Sequence, residues 1–272
     1  MSQHLTPVII VGARGRMGRT LIREVTQSEE LVLTGAVDRS GGPGRGMDAG
    51  QVAGTVDIGV TVTDDLRPRR AVVVDFSLPA ATVGNIQRCV EAGVPLVLGT
   101  TGIDSHAREA LGEAAKTIPI VSDANFSVGI ALLSRLAGLA ARALGQSWDA
   151  EILEIHHKHK RDAPSGTALR LGKAVAKATD RKLADHLCTE RSGSAGEPRR
   201  EGEIGIVALR GGDSAGEHTL MFLADGERIE LTHRASDRAI FARGALRAAR
   251  WVESREPGLY SMADVLGLAD LH

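Results

Sequence analysis

Aromatic side chains are scarce in this chain: four Phe, two Trp and one Tyr among 272 residues. A protein that stacks single-stranded bases on its side chains needs more. Charge of one sign is also lacking. Lys and Arg number 33 against 34 Asp and Glu, a formal net charge of −1. Nothing global therefore draws the chain to nucleic acid or to an anionic membrane, and any anionic ligand must be held by a local patch. The two cysteines, Cys89 and Cys188, lie far apart and resemble neither a disulfide framework nor a zinc site. No segment approaches the roughly 20 apolar residues of a membrane span, and no basic leader precedes the first apolar run. The expectation is a soluble protein of a reducing compartment, the cytoplasm, with neither a membrane nor a nucleic acid as partner. With 43% hydrophobic and 25% charged residues, the chain has the composition and length for one large or two modest globular domains.

The first half alternates short β-branched apolar runs with stretches of helical period, the pattern of parallel βαβ units. Val8 to Val11, Leu31 to Val37, Val72 to Asp75, Pro95 to Leu98 and Ile118 to Val121 read as strands covered on both faces. Arg16 to Gln27, Thr82 to Glu91 and Asp104 to Lys116 read as their crossover helices. The apolar, alanine-rich stretch Val128 to Leu144 predicts a helix leading out of this first domain. Beyond it the pattern changes. Ala150 to Ile155 and Ile204 to Leu209 read as strands, Gly166 to Thr179 and Arg238 to Ser254 as helices, and Ser192 to Gly202 as a polar loop. Thr219 to Ala224 and Glu227 to Thr232 flank Asp225-Gly226, which suits the positive φ angles of a tight hairpin turn. The fold class is α/β: a Rossmann-like dinucleotide-binding domain followed by an α+β domain with a mostly antiparallel sheet.

Strand Val8 to Val11 runs directly into Gly12-Ala-Arg-Gly15-Arg-Met-Gly18 and then a helix. Glycines there permit the tight turn and let backbone N–H groups approach a pyrophosphate at the positive end of the helix. The spacing is GxxGxxG rather than the commoner GxGxxG, so strand, helix and a later acid must support it. That acid is Asp38, at the end of the second strand and twenty residues beyond Gly18, where it can accept hydrogen bonds from ribose hydroxyls. Arg39 follows, and a guanidinium at that point can pair instead with a 2′-phosphate. Asp38-Arg39 thus suits NADH or NADPH. Two more loops fall at strand ends: Gly99-Thr-Thr-Gly102, suited to a nicotinamide ribose and amide or to a plain turn, and Asp123-Ala-Asn-Phe126, where Asn125 can bond a carboxamide and Phe126 can equally be core.

The densest polar run is Glu154-Ile-His156-His157-Lys158-His159-Lys160-Arg161-Asp162-Ala-Pro164-Ser165-Gly166-Thr167, with six consecutive basic or titratable side chains from His156 to Arg161. Ser165 is a candidate N-cap, and Gly166 and Thr167 begin a helix whose unpaired N–H groups favour an anion. Imidazoles and an ammonium beside a helix start make a receptor for a small carboxylate, with a proton donor titrating near neutrality. For single members such as Lys158 and Arg161 a solvated face is the simpler reading. No carboxylate or cysteine completes a metal set with the His-x-His pair, so no metal is assigned.

These residues, the loops at 12–18 and 99–102, Ala124-Asn-Phe126-Ser-Val-Gly129, Gly216-Glu-His218 and Asp264-Val-Leu-Gly267 together resemble the 4-hydroxy-tetrahydrodipicolinate reductases, also called dihydrodipicolinate reductases, nearly end to end. The resemblance implies NADH- or NADPH-dependent reduction of a small cyclic dicarboxylate on the diaminopimelate route to lysine. It implies cofactor contacts at Gly12, Ala13, Arg14, Gly15, Arg16, Met17, Asp38, Arg39, Gly99, Thr100, Thr101, Asp123, Ala124, Asn125 and Phe126. It makes His156 and Lys160 catalytic, either one delivering the proton, and His157, Gly166 and Thr167 substrate-binding. It further implies a nucleotide domain of residues 1–126 completed by 240–272, and a domain of residues 127–239 that binds substrate and assembles a homotetramer. Three positions depart from the family's usual pattern: Leu78, where a basic residue is common, Asp123, where alanine is frequent, and Ile103 in place of phenylalanine. Other two-domain dehydrogenases of amino-acid-derived carbonyls, and a dinucleotide-binding sensor, are the competing classes.

Overall fold

In the computed structural model, which describes residues 4–42, 44–191 and 198–268, the first β-branched run forms β1 (Thr6–Val11), buried along nearly its whole length. α1 (Arg16–Thr26) buries Gly18, Leu21, Ile22 and Val25, a stripe at helical spacing. β2 (Leu31–Val37), the short α2 (Ala49–Ala53) and two-residue β3 (Val62–Thr63) follow. β4 (Val72–Asp75), α3 (Pro79–Ala92), β5 (Leu96–Leu98), α4 (Ser105–Ala114) and β6 (Pro119–Ser122) continue the alternation. Local chemistry marks the helix ends. Pro79 occupies the first turn of α3, the Asp104 carboxylate accepts the Ala107 N–H at the start of α4, and Gly93 ends α3 in the left-handed region.

α5 (Val128–Leu144) leads to β7 (Asp149–His156), α6 (Gly166–Ala178), the single-turn α7 (Leu183–His186) and β8 (Leu187–Cys188). Next come β9 (Ile204–Arg210), then β10 (Gly216–Ala224) and β11 (Glu227–Ala235), the hairpin turning on Asp225-Gly226. Gly226 has φ +85°, as that turn requires. The chain ends in α8 (Ala239–Val252), β12 (Gly258–Tyr260) and α9 (Met262–Val265).

The chain divides into two compact units: the described residues up to Val128 together with those from Ala239 onward, and Gly129–Arg238. The first contains a seven-stranded sheet in the order β12-β6-β5-β4-β1-β2-β3, parallel at every pairing. Strand order reverses between β1 and β4, so the carboxyl ends of these strands open the crevice where such sheets take ligands. Val73, Leu96, Leu98, Ile118 and Ile120 anchor its core. α8 packs on this sheet through small residues, Ala242, Ala245, Ala248 and Ala249 among them. β12 extends the sheet by pairing with β6.

The second unit holds a mixed sheet, β11-β10-β7-β9-β8. Pairing is antiparallel across β11-β10-β7, as the sequence pattern predicts, and parallel across β7-β9-β8. A parallel pairing needs a long crossover, and α6 with the segment after it supplies one between β7 and β9. Ile152, Leu171, Val175, Ile206, Leu220 and Phe222 form the core beneath the sheet. The predicted loop at 192–202 lies partly outside the described residues. The strands and helices of five residues or fewer that the pattern did not predict, α2, β3, α7, β8, β12 and α9, are too short to show a period. Among the described residues no helix is long and apolar enough to cross a membrane.

A Cβ on Gly244 in α8 would lie 1.7 Å from the Phe126 carbonyl oxygen. Gly244→Ala is expected to lower the unfolding free energy by about 1–3 kcal/mol, the usual cost of overpacking. Thermal unfolding checks it, and an unchanged Tm overturns this account of α8 packing.

Candidate active site

The glycine loop is built for close approach. Gly12 has φ +83°, and a Cβ on it would sit 2.7 Å from the Phe76 carbonyl oxygen. One on Gly18 would sit 2.1 Å from the Gly12 carbonyl oxygen, so α1 lies against the loop at a distance only glycine allows. The N–H groups of Gly12 and Ala13 bond to the Val37 carbonyl at 2.9 and 3.0 Å, joining the loop to the end of β2. Gly15 is the N-cap of α1 and no side chain caps it. The first-turn N–H groups at Arg16 and Met17 thus keep their capacity for an anion. The loop opens on a cleft of about 700 Å³ whose lining includes Gly12, Gly15, Asp38, Arg39 and Arg88.

Asp38 does not wait bare at the end of β2. Its Oδ2 accepts the Arg14 backbone N–H at 2.8 Å, and its Oδ1 accepts the Arg39 N–H and the Arg14 guanidinium, each at 2.8 Å. The guanidinium also donates to the Arg39 carbonyl at 2.9 Å. Burial pushes the Asp38 carboxyl up, but the Arg14 side chain and the two backbone N–H groups outweigh it and hold the pKa below its ordinary value.

The other loops are largely occupied with their own fold. The Thr100 hydroxyl turns to buried Asp75, whose carboxylate also accepts from the Ser77 N–H at 2.8 Å and from Asn85 Nδ2 at 2.9 Å. Gly99 lies against the Phe76 ring, which a Cβ would meet at 2.2 Å, and Thr101 is exposed. Asp123 accepts the N–H groups of Asn125, at 3.1 Å, and of Met262, at 3.3 Å, tying the start of α9 to the end of β6. Ala124 stands between them, Asn125 Oδ1 accepts the Ser127 N–H at 2.9 Å, and Phe126 is core, its ring 5.6 Å from that of Phe76.

In the second unit, β7 carries Ala150, Ile152, Glu154 and His156 on its buried face. Glu154 is fully buried. Its Oε1 accepts the Ser165 N–H and Arg210 Nη2, both at 2.9 Å, while its Oε2 accepts Arg210 Nη1 at 2.9 Å and bonds to His156 Nδ1. Burial raises the Glu154 pKa, but Arg210, His156 and the Ser165 N–H bring it below the ordinary value. With Nδ1–H committed to the carboxylate, Nε2 is the nitrogen His156 keeps for chemistry. A Cβ on Gly216, φ +145°, would lie 2.9 Å from that nitrogen.

Ser165 joins this network to α6. Its hydroxyl accepts the Ala168 N–H at 3.2 Å as the helix N-cap and lies 3.0 Å from His218 Nε2. Gly166 and Thr167 therefore stand in the first turn, and Gly166 is exposed. His218 packs edge-on against His156 with centroids 5.1 Å apart. Burial, the largest cause, pushes its pKa down to about 4. Lys160 Nζ bonds to both Asp162 oxygens, at 2.8 and 2.7 Å, and holds that carboxyl below its ordinary range. His157 Nε2 lies 3.0 Å from Arg238 Nη2, and burial followed by that cation lowers the imidazole's pKa.

His156, His157, Lys160, Gly166 and Thr167 are thus gathered at one end of this sheet. Sequence reasoning gave no role to Arg210, His218 or Arg238, and none to Glu154 beyond its place in the run. The signal for Glu154 was present: it shares the period-2 face of Ile152 and His156, and a carboxylate there needs a cation. Arg210 lies 56 residues away, at a distance that strand pairing alone reveals.

A parallel sheet with a glycine loop at its switch point and an acid ending β2 defines the class of Rossmann-type nucleotide-binding proteins. Two family models carry the comparison further: residues 6–126 match "Dihydrodipicolinate reductase, N-terminus" and residues 129–266 match "Dihydrodipicolinate reductase, C-terminus". The chain belongs to the dihydrodipicolinate reductase family. The 4-hydroxy-tetrahydrodipicolinate reductase of Anaeromyxobacter dehalogenans (strain 2CP-C) is 50% identical over 267 residues, 97% of this chain and 98% of that one. The protein of the same name from Alkalilimnicola ehrlichii is 51% identical over 266 residues, 97% and 99% of the two chains. Among solved structures, the dipicolinate-bound dihydrodipicolinate reductase from Paenisporosarcina sp. TG-14 shares the fold with a TM-score of 0.75 at 22% identity, covering 96% of this chain and 98% of its own.

Because His218 stays neutral in the fold down to about pH 4 while its ordinary value is 6.5, the unfolded chain takes up a proton in that window that the folded chain refuses. Stability is expected to fall as pH drops from 6.5 towards 4. His218→Gln is expected to flatten that slope by up to one proton, about 1.4 kcal/mol per pH unit at most. Denaturant titrations at several pH values measure it, and an unaltered slope removes His218 as the cause.

Proposed function

We propose that this chain catalyses the NADH- or NADPH-dependent reduction of 4-hydroxy-tetrahydrodipicolinate (dihydrodipicolinate) to tetrahydrodipicolinate, a step in making lysine through diaminopimelate. The observation that carries the reading is the buried Glu154–His156–Arg210 network, seated beside Lys160 and the start of α6 in a chain of this family.

Residues 1–126 with 240–272 hold the nucleotide, and residues 127–239 take the substrate. The fit of a dinucleotide rests on the cleft at the glycine loop, where a Cβ on Gly12 would strike backbone and α1 begins uncapped. Gly12 to Met17 and Asp38-Arg39 take its phosphates and adenosine ribose, and the loops of Gly99 to Thr101 and Asp123 to Phe126 shape the nicotinamide end. The dihydronicotinamide, when bound, supplies a hydride to ring C4 of the substrate. The dicarboxylate is oriented by the first-turn N–H groups of Gly166 and Thr167 and by the His157 imidazole. Electron density arriving at C4 moves toward C3, and the proton that completes the reduction comes from Lys160 or His156; the 4-hydroxy form also loses water. Asp162 fixes the Lys160 ammonium, and Glu154 fixes the His156 ring, so the donor is positioned before the substrate arrives.

The second sheet's outer face is the surface through which we infer a homotetramer. Val207 and Leu209 are 46% and 47% exposed there, and the register places Leu153 beside Val207 and Ile155 beside Leu209. The two cysteines are free, which supports a reducing compartment, the cytoplasm. A small dicarboxylate, with neither membrane nor nucleic acid, is the partner of this site.

Generating the unstable substrate in place, from pyruvate and aspartate semialdehyde with dihydrodipicolinate synthase, is expected to cause NADH or NADPH oxidation that requires both synthase and this protein. No oxidation by folded protein that binds either cofactor overturns the reading. His156→Ala and Lys160→Ala are each expected to lower kcat about 100-fold; near wild-type turnover in either removes that residue's role. Val207→Glu is expected to yield smaller species in sedimentation, and an unchanged assembly overturns the assignment of that face.

A further inference from the structure

From the geometry around Asp38 we infer that Arg14 sets the choice between NADH and NADPH by masking that carboxylate. The inference rests on the proposed cofactor site and deepens it. An acid at the end of β2 ordinarily favours NADH, because its lone pairs accept the ribose 2′-hydroxyl and its charge repels a 2′-phosphate. Here three of the four lone-pair positions are filled, one by each of the two Arg14 donors and one by the Arg39 N–H.

The masking pair is sheltered. Arg14 and Asp38 side chains are 11% and 14% exposed, so their interaction is less screened by solvent than a surface ion pair. The chain after β2 also folds over the guanidinium: a Cβ on Gly42 would lie 1.7 Å from Arg14 Nη1. A third bond, to the Arg39 carbonyl at 2.9 Å, fixes the guanidinium beside the next arginine along the chain. Asp38, Arg14 and Arg39 all line the one cleft. Their local charge is one negative against two positive, and the negative is already paired. A phosphate dianion placed there meets net positive charge. Without the Arg14 guanidinium it meets a carboxylate that keeps only the two backbone N–H donors of residues 14 and 39, and one arginine side chain.

Arg14 does this from the glycine loop, at a position that a bare glycine pattern treats as a spacer. Arg19 and Arg88 line the same cleft, so Arg14 is distinguished by its contacts with Asp38 and Arg39 and not by its charge alone.

Dissociation constants of the full-length protein for NADH and NADPH, from titration calorimetry, test this. Arg14→Met is expected to weaken NADPH roughly 10- to 100-fold, the scale of one charge-assisted contact, and to change NADH by less than about threefold. Arg14→Lys, which keeps the charge, is expected to retain most NADPH affinity. The deciding variant is Arg14→Met with Asp38→Asn. Once the carboxylate is neutral its mask is superfluous, so NADPH affinity is expected to recover most of the loss. Equal weakening of both cofactors by Arg14→Met overturns the inference and makes Arg14 a shaper of the loop. A loss undiminished in the double variant overturns it too and makes Arg14 a direct phosphate ligand. Wild-type protein that binds neither nucleotide sinks the cofactor site itself, a result distinct from both.

Discussion

The second unit is organised around one carboxylate that has no access to water. Burying Glu154 as an anion is costly unless its oxygens are filled with donors, and the four donors come from His156, Ser165 and both terminal nitrogens of Arg210. The four donors come from three separate parts of the chain: the end of β7, the cap of α6 and the end of β9. Satisfying a single buried charge therefore fixes the ring of the candidate acid, the start of α6 and the register of a parallel strand pair together. Arg210 extends the arrangement by donating to the Asp162 carbonyl at 2.6 Å, and Asp162 is the residue that holds Lys160.

The nucleotide unit uses the same principle with a neutral set of donors. Asp75, buried at the end of β4, collects the Ser77 N–H, the Asn85 amide and the Thr100 hydroxyl. Those three groups belong to the loop after β4, to α3 and to the loop after β5. Loops at the carboxyl ends of parallel strands must be precise to meet a ligand. A carboxylate behind them supplies that precision from within, which is why Thr100 faces inward while Thr101 is exposed.

Much of this was legible in the sequence. The β-branched runs and their spacing specified five of the seven strands of the first sheet, and Gly12, Gly18 and Asp38 located the cleft, because glycine and a strand-end acid have few other uses there. The His156 to Thr167 run pointed to the second candidate site for a like reason: cations next to a helix start imply an anion. What stayed hidden was pairing over distance. Nothing in the local pattern says that Arg210 completes Glu154, that Arg14 closes on Asp38, or that β9 runs parallel to β7. β12 is three residues long and joins the sheet beside a strand more than 130 positions earlier. Each of these is decided by which elements meet, and periodicity does not encode that.

The return of α8 and β12 to the first sheet has a consequence for synthesis on the ribosome. The nucleotide unit is written in two pieces, and the Gly129–Arg238 unit lies whole between them. A chain emerging from its N-terminus first thus releases the complete second unit while the first still lacks α8 and one edge strand. Vectorial folding favours the later-encoded unit as the first to finish. Until α8 arrives, apolar surface of α1 and of β4, β5 and β6, on which that helix packs, stays open to water. The closing helix begins at Ala239, so that surface is covered only after the whole Gly129–Arg238 unit has been made.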